Sequence, residues 1–575
     1  MMTRELMIRP LAALRRRLGS ESGFAMVVAL GVLAVTSLLV AAIYVGVQAE
    51  VQATSRSSAT QQAYYAARSG EQAFLYQLDQ NPNYWTTCSN DYAPTPVTVP
   101  GSTTGVKYSY VPVYNSGYSN ASCTTSTAIS ALIDTNTGTL RMEFTGYAGP
   151  TNPSTGVPEI SQTIVASFRK PSPLDFLWYT DHEMEDPALN SACAGEKYYY
   201  QYTGSSQPPS SCEINWVSGD TMDGPSYTND QYLVYSGNDP TFGRANTDDQ
   251  TESSAPTKSV CVNSNCQKAV FQGGTPASVA GAESIPLPQS VSSTQLLSDA
   301  EASGDNPPNV FQGTTTITLN TSSNGTESAT VSNCPGSTST AACTSGWVNN
   351  TLTSVPSIIY VQSESGCPST YSASTYATNS QGQYYGPCGD VYIHGSYDEP
   401  LTIVSDHDII IVGNTSSSIC YTPTSACEAS PGLTTNTDSS GDPIGNATLG
   451  LVASDFVRVM HPATNGINTP QAITIDAAIL TLQHSFMVDN YSSGAANPQP
   501  DLTVHGAIAQ RYRGIVGTVG SAGYIKNYHY DDRLKVILPP YLFSISTAGW
   551  EVSRETLCMP DTPSTDPSSC AYTGA

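Results

Sequence analysis

The longest apolar stretch of the chain lies near its N-terminus. Residues Phe24 to Val47 carry no charged side chain. A helix rises about 1.5 Å per residue, so this stretch would reach roughly 36 Å, enough to cross a bilayer. A cluster of arginines precedes it and an acidic body follows it. By the positive-inside rule, the pattern predicts a single-pass membrane protein with a cytoplasmic N-terminus and an extracytoplasmic body.

The polar segment after this stretch keeps a helical period. One face consists mostly of small residues at spacings of three and four: Ala63, Ala66, Ala67, Gly70, Ala73, Phe74, Gln77 and Leu78. Such a face lets another helix or a sheet approach closely. Asn81-Pro82 is a predicted stop, because the residue before a proline avoids the helical conformation. We therefore predict one helix from Phe24 to about Gln80, with an anchor followed by an amphipathic linker as the alternative.

Alternating apolar and polar positions begin beyond this helix. Residues 106–114, 139–147 and 160–168 alternate with a period of two, which is typical of half-buried antiparallel strands. Pro171-Ser172-Pro173 then marks a boundary. The segment 83–170 is thus predicted to form a small antiparallel sheet.

A weak repeat runs through the much longer segment 171–557. An apolar residue, then His or Asp, then Gly or Ala recurs at Met222-Asp223-Gly224, Ile393-His394-Gly395, Ile475-Asp476-Ala477 and Val504-His505-Gly506. Repeated strands with a small residue at the corner predict stacked rungs of a parallel β-helix with loop inserts, and a β-sandwich is the alternative. His394 and His505 are expected to fill equivalent corners. The Pro/Ser/Thr-rich tail 558–575 is expected to be loose apart from a disulfide.

Composition limits the partners of this body. The chain has 575 residues and a net charge of −25, which would repel nucleic-acid phosphates. We therefore predict no nucleic-acid partner. Only 12% of the residues are charged, as in loop-rich secreted β proteins.

The cysteines indicate an oxidising compartment. There are 14, none before residue 88. They form neighbouring couples that we expect to be disulfides: Cys88/Cys123, Cys193/Cys212, Cys261/Cys266, Cys334/Cys343, Cys367/Cys388, Cys420/Cys427 and Cys558/Cys570. A zinc site is disfavoured because Cys261 and Cys266 have no second pair at finger spacing. We predict no metal and no cofactor.

The segment Glu21-Ser22-Gly23-Phe24-Ala25-Met26-Val27-Val28 resembles a class III prepilin signal. The resemblance implies that a prepilin peptidase cuts after Gly23 and that the new N-terminal Phe24 is methylated. It also implies that the apolar helix serves first as a membrane anchor and then packs among other pilins or pseudopilins. The stretch Ala-Ala-Arg-Ser-Gly-Glu-Gln-Ala at 66–73 is similar to PilX-type N-termini.

One position departs from the family pattern. Major pilins usually carry Glu at the fifth mature residue, where this chain has Val28. The resemblance therefore implies a minor or tip component of a type IV pilus or pseudopilus, used for assembly priming or adhesion. The alternatives are a bitopic carbohydrate-active β-helix protein and a tethered surface protein that never enters a filament. The surface ligand is left open.

These observations divide the chain and define its fold class. We expect a mainly β protein with one long N-terminal transmembrane α-helix, a small pilin-like sheet and a parallel β-helix. The predicted segments are a basic prepilin leader (1–23), the transmembrane and pilin-like helix (24–82), a pilin-like β subdomain (83–170), the β-helix-like domain (171–557) and the tail (558–575).

Candidate chemistry in the body is sparse. Asp181 to Asp186 form the densest acidic cluster, which we expect to be a solvated loop, with a Ca²⁺ site as the alternative. Asp406, Asp408 and Asp455 could serve as paired carboxylates for glycoside cleavage or simply as turn residues. The chain has no Gly-x-Ser-x-Gly elbow, Walker loop or His-Glu-x-x-His motif, so we expect no enzyme. The tyrosines at 198–202 favour either an adhesive surface or a cover over a sheet.

Overall fold

A computed structural model describes residues 24–558. The positions that it leaves undescribed within this range are 103–104, 126, 135–136, 196, 203–207, 257–267, 303–308, 322–326, 336–347, 370, 372–385, 413, 416–417, 420–431, 462–471, 494–498, 519 and 545–548. The predicted leader 1–23 and almost all of the tail 558–575 lie outside the described residues.

The first element is the long helix α1, which spans Phe24–Gln80. This confirms the predicted long N-terminal helix. Every residue from Met26 to Ser58 is exposed, whereas buried positions begin at Ala59. The helix therefore has a free N-terminal half and a C-terminal half that packs on the protein.

A small antiparallel sheet follows, which we call the head sheet. Its strands from this part of the chain are β1 (Ala93–Thr98), β2 (Lys107–Pro112), β3 (Ile133–Asp134), β4 (Thr139–Thr151) and β5 (Pro158–Arg169), and the short helix α2 (Ala128–Leu132) precedes β3. The strand order is β1-β2-β4-β5, with β3 at the side of β4. In β4, Leu140, Met142 and Phe144 are buried and alternate with half-buried residues. The predicted alternation therefore corresponds to one apolar face.

The C-terminal half of α1 lies on this apolar face. Its buried positions are Ala63, Ala66, Ala67, Gly70, Phe74 and Leu78, whereas Ala73 is half-buried and Gln77 is exposed. The Phe74 ring packs against Phe168 and Phe144, with centroid distances of 5.4 and 6.0 Å. The predicted face is thus confirmed except at Gln77, which lies too far round the helix to reach the sheet.

Most of the remaining chain forms one large sheet, wound as a coil of short strands. The strands are β6 (Trp178–Glu185), β7 (Thr221–Asp223), β8 (Ser226–Thr228), β9 (Thr241–Phe242), β10 (Thr251–Ser253), β11 (Val270–Phe271), β12 (Ser278–Ala280), β13 (Val310–Gln312), β14 (Thr315–Thr321), β15 (Glu327–Asn333), β16 (Val348–Leu352), β17 (Ile358–Gln362), β18 (Val391–Ser396), β19 (Leu401–Ser405), β20 (Ile409–Ile411), β21 (Asn414–Thr415), β22 (Ser418–Ile419), β23 (Gly432–Thr434), β24 (Leu449–Ala453), β25 (Val457–Val459), β26 (Ile473–Thr481), β27 (Phe486–Val488), β28 (Asp501–Arg513), β29 (Gly517–Thr518), β30 (Ala522–Gly523) and β31 (Ile525–Tyr530). The helix α3 (Leu296–Ala302) lies between β12 and β13.

Pairing within this sheet is mainly parallel, and equivalent residues stack from rung to rung. One column runs through Ile403, Leu451, Ile479, Ile508 and Trp178, each paired with the next. All five side chains are buried. Columns of buried apolar residues along parallel strands form the core of a parallel β-helix. This confirms the predicted parallel β-helix.

The order of the rungs differs from the order of the chain. The first strand, β6, pairs with β28, which is one of the last. From β6 the chain stacks away through β8, β10 and β12, and it begins again at the far side of β28 with β13 and β17. The segment between β12 and β13 crosses the rungs: Arg511 Nη2 donates to Pro288 O at 3.1 Å, and Val291 N donates to Ser454 Oγ at 3.3 Å. The chain thus enters and leaves the β-helix in the middle of the stack.

The last strand returns to the head sheet. This strand, β32 (Glu551–Leu557), pairs antiparallel with β5, so that Glu551 lies opposite Arg169. The predicted β-helix-like domain ended at residue 557, and this boundary needs correction, since 551–557 belong to the head. Segment 170–550 is therefore an insertion between two neighbouring strands of the head sheet. Spacing along the sequence carried no signal for a pairing across such a distance.

Candidate functional site

The free half of α1 is the first functional feature. Among the described residues, α1 is the one helix that is long and apolar enough to cross a membrane. Phe24 begins this helix, and Val28 and Val47 are about half exposed on it. The predicted cleavage residue Gly23 lies outside the described residues. An apolar surface of this length is stable only when a membrane or other apolar helices cover it.

The docked half of α1 is held by the last strand. Tyr64 Oη donates to Glu555 Oε1 at 2.8 Å, and Arg68 Nε lies 3.2 Å from Glu555 Oε2. Glu71 is buried beside them, 3.8 Å from Arg68 Nε, and burial raises its pKa to about 7. The stretch 66–73 therefore joins the helix to β32.

Three of the predicted cysteine couples form disulfides in the described part of the chain. They are Cys88–Cys123, Cys193–Cys212 and Cys367–Cys388. Cys334 and Cys558 are also disulfide-bonded. Their expected partners lie outside the described residues, as do the remaining couples: Cys343, Cys570, Cys261, Cys266, Cys420 and Cys427.

The acidic cluster at 181–186 is a buried strand. Every residue of β6 is buried, so the predicted solvated loop is wrong. The carboxylates are neutralised by cations from remote strands: Asp181 lies 3.1 Å from Arg511 Nη1 and Glu183 lies 2.9 Å from Arg513 Nη1. Because each carboxylate has its own cationic partner, Asp181 and Glu183 do not converge on one Ca²⁺ site.

The tyrosine-rich segment covers this acidic strand. Tyr198 stacks on His182 at a centroid distance of 4.7 Å and donates to Asp181 Oδ1 at 3.0 Å. The Tyr199 hydroxyl donates to Glu213 Oε1 at 2.6 Å. The cover over a sheet is thus the better interpretation of the two.

The recurring signature is partly a real ladder. Asp476, His505, His529 and Asp223 pair in register on four neighbouring strands. His505 Nδ1 lies 2.8 Å from Asp476 Oδ1, and His529 Nδ1 lies 3.3 Å from Asp223 Oδ2. His394 does not belong to it, because it is followed by Gly395, which stands in line with Leu433 and Ile475. The predicted equivalence of His394 and His505 is therefore wrong, and burial lowers the pKa of His394 to about 4.

A second polar ladder lies at one corner of the β-helix, and we call it the corner cluster. It consists of Asp186, Asp390, His407, Asp408, Asp455, Arg458, His484 and Asp489. The turns after β19, β24 and β26 stack at this corner and supply most of its side chains.

Imidazoles and carboxylates alternate along the corner cluster. His407 Nδ1 lies 2.7 Å from Asp390 Oδ1, and His407 Nε2 lies 3.4 Å from Asp455 Oδ2. On the other side of Asp455, His484 Nε2 is 3.6 Å away and His484 Nδ1 lies 3.0 Å from Asp186. Sequence analysis missed this ladder because its members come from widely separated parts of the chain.

The three aspartates considered for glycoside cleavage have separate environments. Asp406 accepts hydrogen bonds from Tyr360 Oη at 2.5 Å and from Ser363 N at 2.9 Å. Asp408 is fully buried and accepts a hydrogen bond from Phe456 N at 2.9 Å, whereas Asp455 stands between the two histidines. They are neighbours in the fold but are each held by other groups of the protein.

Comparisons with known proteins give little further. No family model matches the chain, and no curated protein matches it. Among solved structures, the chain is similar to the crystal structure of the competence-associated pilin ComZ from Thermus thermophilus. The TM-score is 0.25 and the identity 11%, over 87% of this chain and 97% of that chain. A likeness this low identifies neither a family nor a function, so the features of the chain itself carry the account.

Proposed function

We propose that this protein is a minor or tip component of a type IV pilus or pseudopilus, anchored in the membrane before assembly. The observation that carries the proposal is the division of α1. Its apolar N-terminal half is exposed from Met26 onward, while its C-terminal half is docked on an antiparallel sheet. A helix of this kind can leave a bilayer and pack among other helices without disturbing the head.

The insertion supports a role in display. Segment 170–550 leaves from β5 and returns to the adjacent β32, so both of its ends are fixed to the head sheet. Two neighbouring attachment points restrain a large body better than a single flexible linker does. The β-helix is then held at one position relative to the helix, as assembly priming or adhesion requires.

Val28 supports a minor position in the filament. It places an apolar residue where the prepilin resemblance leads one to expect a glutamate. A chain without that carboxylate would not neutralise the amino terminus of a neighbouring subunit, so it is suited to a tip and not to a repeating array. We propose no catalytic activity, and the engaged Asp406 does not favour the carbohydrate-active alternative.

Filament incorporation tests the proposal. The wild-type chain and its Gly23→Ala variant are expressed in a bacterium with a prepilin peptidase and a pilus system, and sheared filaments are probed for the β-helix. We expect the wild type in the filament fraction and Gly23→Ala in the membrane fraction only. Gly31→Ala is the matched control, since a Cβ at Gly31 meets no atom within 4 Å. Equal amounts of Gly23→Ala and wild type in the filaments, or neither in them, would overturn the proposal.

A further inference from the structure

The corner cluster carries more negative charge than its own cations neutralise. It contains the carboxylates Asp186, Asp390, Asp408, Asp455 and Asp489. The described residues in contact with them supply at most three positive charges, from Arg458 and from the two histidines if both are protonated. An excess of two or more negative charges in a buried site is costly unless a further cation is present.

The neighbouring segments of the sequence do not supply that cation. Segments 372–385, 413–431 and 462–471 adjoin the strands and turns of this corner in the chain. None of the three contains Lys, Arg or His. The missing positive charge is therefore not provided by the chain near this corner.

Three of these side chains converge. One nitrogen or oxygen from each of Asp390, His407 and Asp408 lies within 4.8 Å of the other two. Donor atoms around a metal with bonds of about 2.0–2.2 Å stand roughly 3–4 Å apart, so small movements would bring these atoms into one coordination shell. Asp390 and Asp408 are fully buried and His407 is 9% exposed.

One oxygen at this point is left over by the protein. Asp408 Oδ1 accepts the hydrogen bond from Phe456 N, whereas Asp408 Oδ2 accepts none from any described residue. Arg458 Nε lies 3.6 Å from this oxygen, beyond hydrogen-bonding distance. A buried carboxylate oxygen without a donor is a signal for an ion.

The outer contacts of His407 also suit a ligand. A histidine that binds a metal through one ring nitrogen usually donates its other N–H to a carboxylate, which fixes the ring. Here Nδ1 faces Asp390, and Nε2 lies 3.4 Å from Asp455 Oδ2. Asp455 is fixed in turn by His484, whose other ring nitrogen faces Asp186.

We propose that Asp390, His407 and Asp408 bind one divalent transition-metal ion at this corner of the β-helix. Two carboxylate oxygens and one imidazole nitrogen form a donor set for ions such as Zn²⁺ or Mn²⁺. The sulfurs of Cys367 and Cys388 also lie near His407, but they are joined in a disulfide and are not available as thiolates. The ion neutralises the excess charge and ties the turn after β19 to the start of β18. The expectation of no metal failed to detect this site because its ligands follow no sequence spacing motif.

Metal binding by the full chain tests the proposal. The protein is purified in detergent without reductant, stripped with a chelator, and titrated separately with Zn²⁺ and Mn²⁺ while bound metal and thermal unfolding are measured. We expect one equivalent bound and a higher Tm for the wild type. Asp390→Asn and Asp408→Asn should bind at least tenfold more weakly and lose the shift in Tm.

The metal-free state separates this proposal from a purely structural ladder. Each Asp→Asn variant removes one excess negative charge, so without metal it should unfold at the same temperature as the stripped wild type or above it. A structural ladder predicts the opposite, a lower Tm with and without metal. Asp476→Asn is the matched control, because it alters another Asp–His pair and should keep the full metal response.

Two results would overturn the proposal. One is a wild-type chain that binds neither ion, with a Tm unchanged by both; protons then hold the excess charge. The other is an equal response in Asp390→Asn, Asp408→Asn and the wild type, which would place the ion elsewhere. If a variant fails to fold, the metal content and Tm shift of the wild type still decide.

Discussion

Glu551 lies directly opposite Arg169 in neighbouring antiparallel strands, although the whole β-helix separates them in the chain. The head is therefore assembled from two distant pieces, and its last strand is made after the body has been synthesised. Trp550 strengthens the closure, because its Nε1 donates to Pro82 O at 2.9 Å next to the end of α1. The head and the body are separate units of folding joined at one place.

The first prediction is that the head folds without its insertion. Residues 172–548 are replaced by a short Asn-Gly turn, and the product is examined by circular dichroism and disulfide mapping. We expect cooperative unfolding and an intact Cys88–Cys123 disulfide, since Phe74, Phe144 and Phe168 find their partners within the head. The Tm should be lower, because Leu538 and Phe543 no longer cover Gly138.

A shorter product supplies the control for this experiment. Removing 551–557 as well takes away the partner of Tyr64 and Arg68 and should lower the Tm further. If both products are unfolded, the head depends on the body and the two are not separate units.

The second prediction concerns the contact between α1 and the head sheet. A Cβ on Gly146 would lie 1.9 Å from Ala63 O and 2.4 Å from Ala67 N, both backbone atoms of the helix. Gly146→Ala should therefore push the helix off the sheet and cost about 3 kcal/mol or more of unfolding free energy, as overpacking does. Denaturant unfolding in detergent measures this cost.

The matched control is another glycine of the same protein with free space around it. Gly31→Ala should change the free energy of unfolding by less than about 1 kcal/mol, because nothing lies within 4 Å of its added Cβ. Equal effects of the two substitutions would show that the helix is not held at Gly146.

Local features of this fold could be predicted from the sequence, because they depend on near neighbours. The long helix follows from its apolar run and small-residue face, and β4 and β5 from their alternation. The return of β32 could not be predicted, since its pairing with β5 depends on where a very long insertion ends.

The candidate sites were harder to predict for the same reason. The charge of Glu183 suggests solvent, but its cation, Arg513, comes from a strand at the other end of the insertion. The apparent likeness of His394 and His505 fails because loop inserts shift the register between rungs. Residue spacing records periodicity within an element, whereas rung order depends on the whole path.

The third prediction is a pH dependence caused by Asp91. This side chain is fully buried, neither of its oxygens has a hydrogen-bond partner among the described residues, and burial raises its pKa to about 8. A carboxyl with a raised folded pKa stabilises the protein fully below its unfolded pKa of about 4, and this stability is lost as the pH rises to about 8.

Asp91→Asn tests this dependence. The variant keeps the shape but does not ionise, so its free energy of unfolding should match the wild type at pH 4 and exceed it by a few kcal/mol at pH 8. Denaturant unfolding at pH 4, 6 and 8 measures the difference. A constant difference across these pH values would show that ionisation of Asp91 is not its cause.

The fourth prediction concerns the ion pair at the junction of β6 and β28. Arg513 is fully buried, lies 2.9 Å from Glu183 Oε2, and stacks 4.0 Å over the Trp216 ring. Arg513→Met leaves Glu183 as a buried, unpaired carboxylate and should cost about 3–5 kcal/mol.

A double-mutant cycle separates the pair from its packing. The double variant Arg513→Met with Glu183→Gln should recover most of the loss, because no charge then remains buried. Thermal and denaturant unfolding of all four chains measure the coupling. Additive effects would show that the two side chains act independently.

The central claim is that this chain is processed as a prepilin, and the mature N-terminus tests it most directly. The protein is isolated from native membranes and its first residue identified by mass spectrometry. The account predicts a chain that begins at Phe24 with a methylated amino group. A chain that begins at Met1, or one cleaved after the apolar stretch at Glu50, would contradict it.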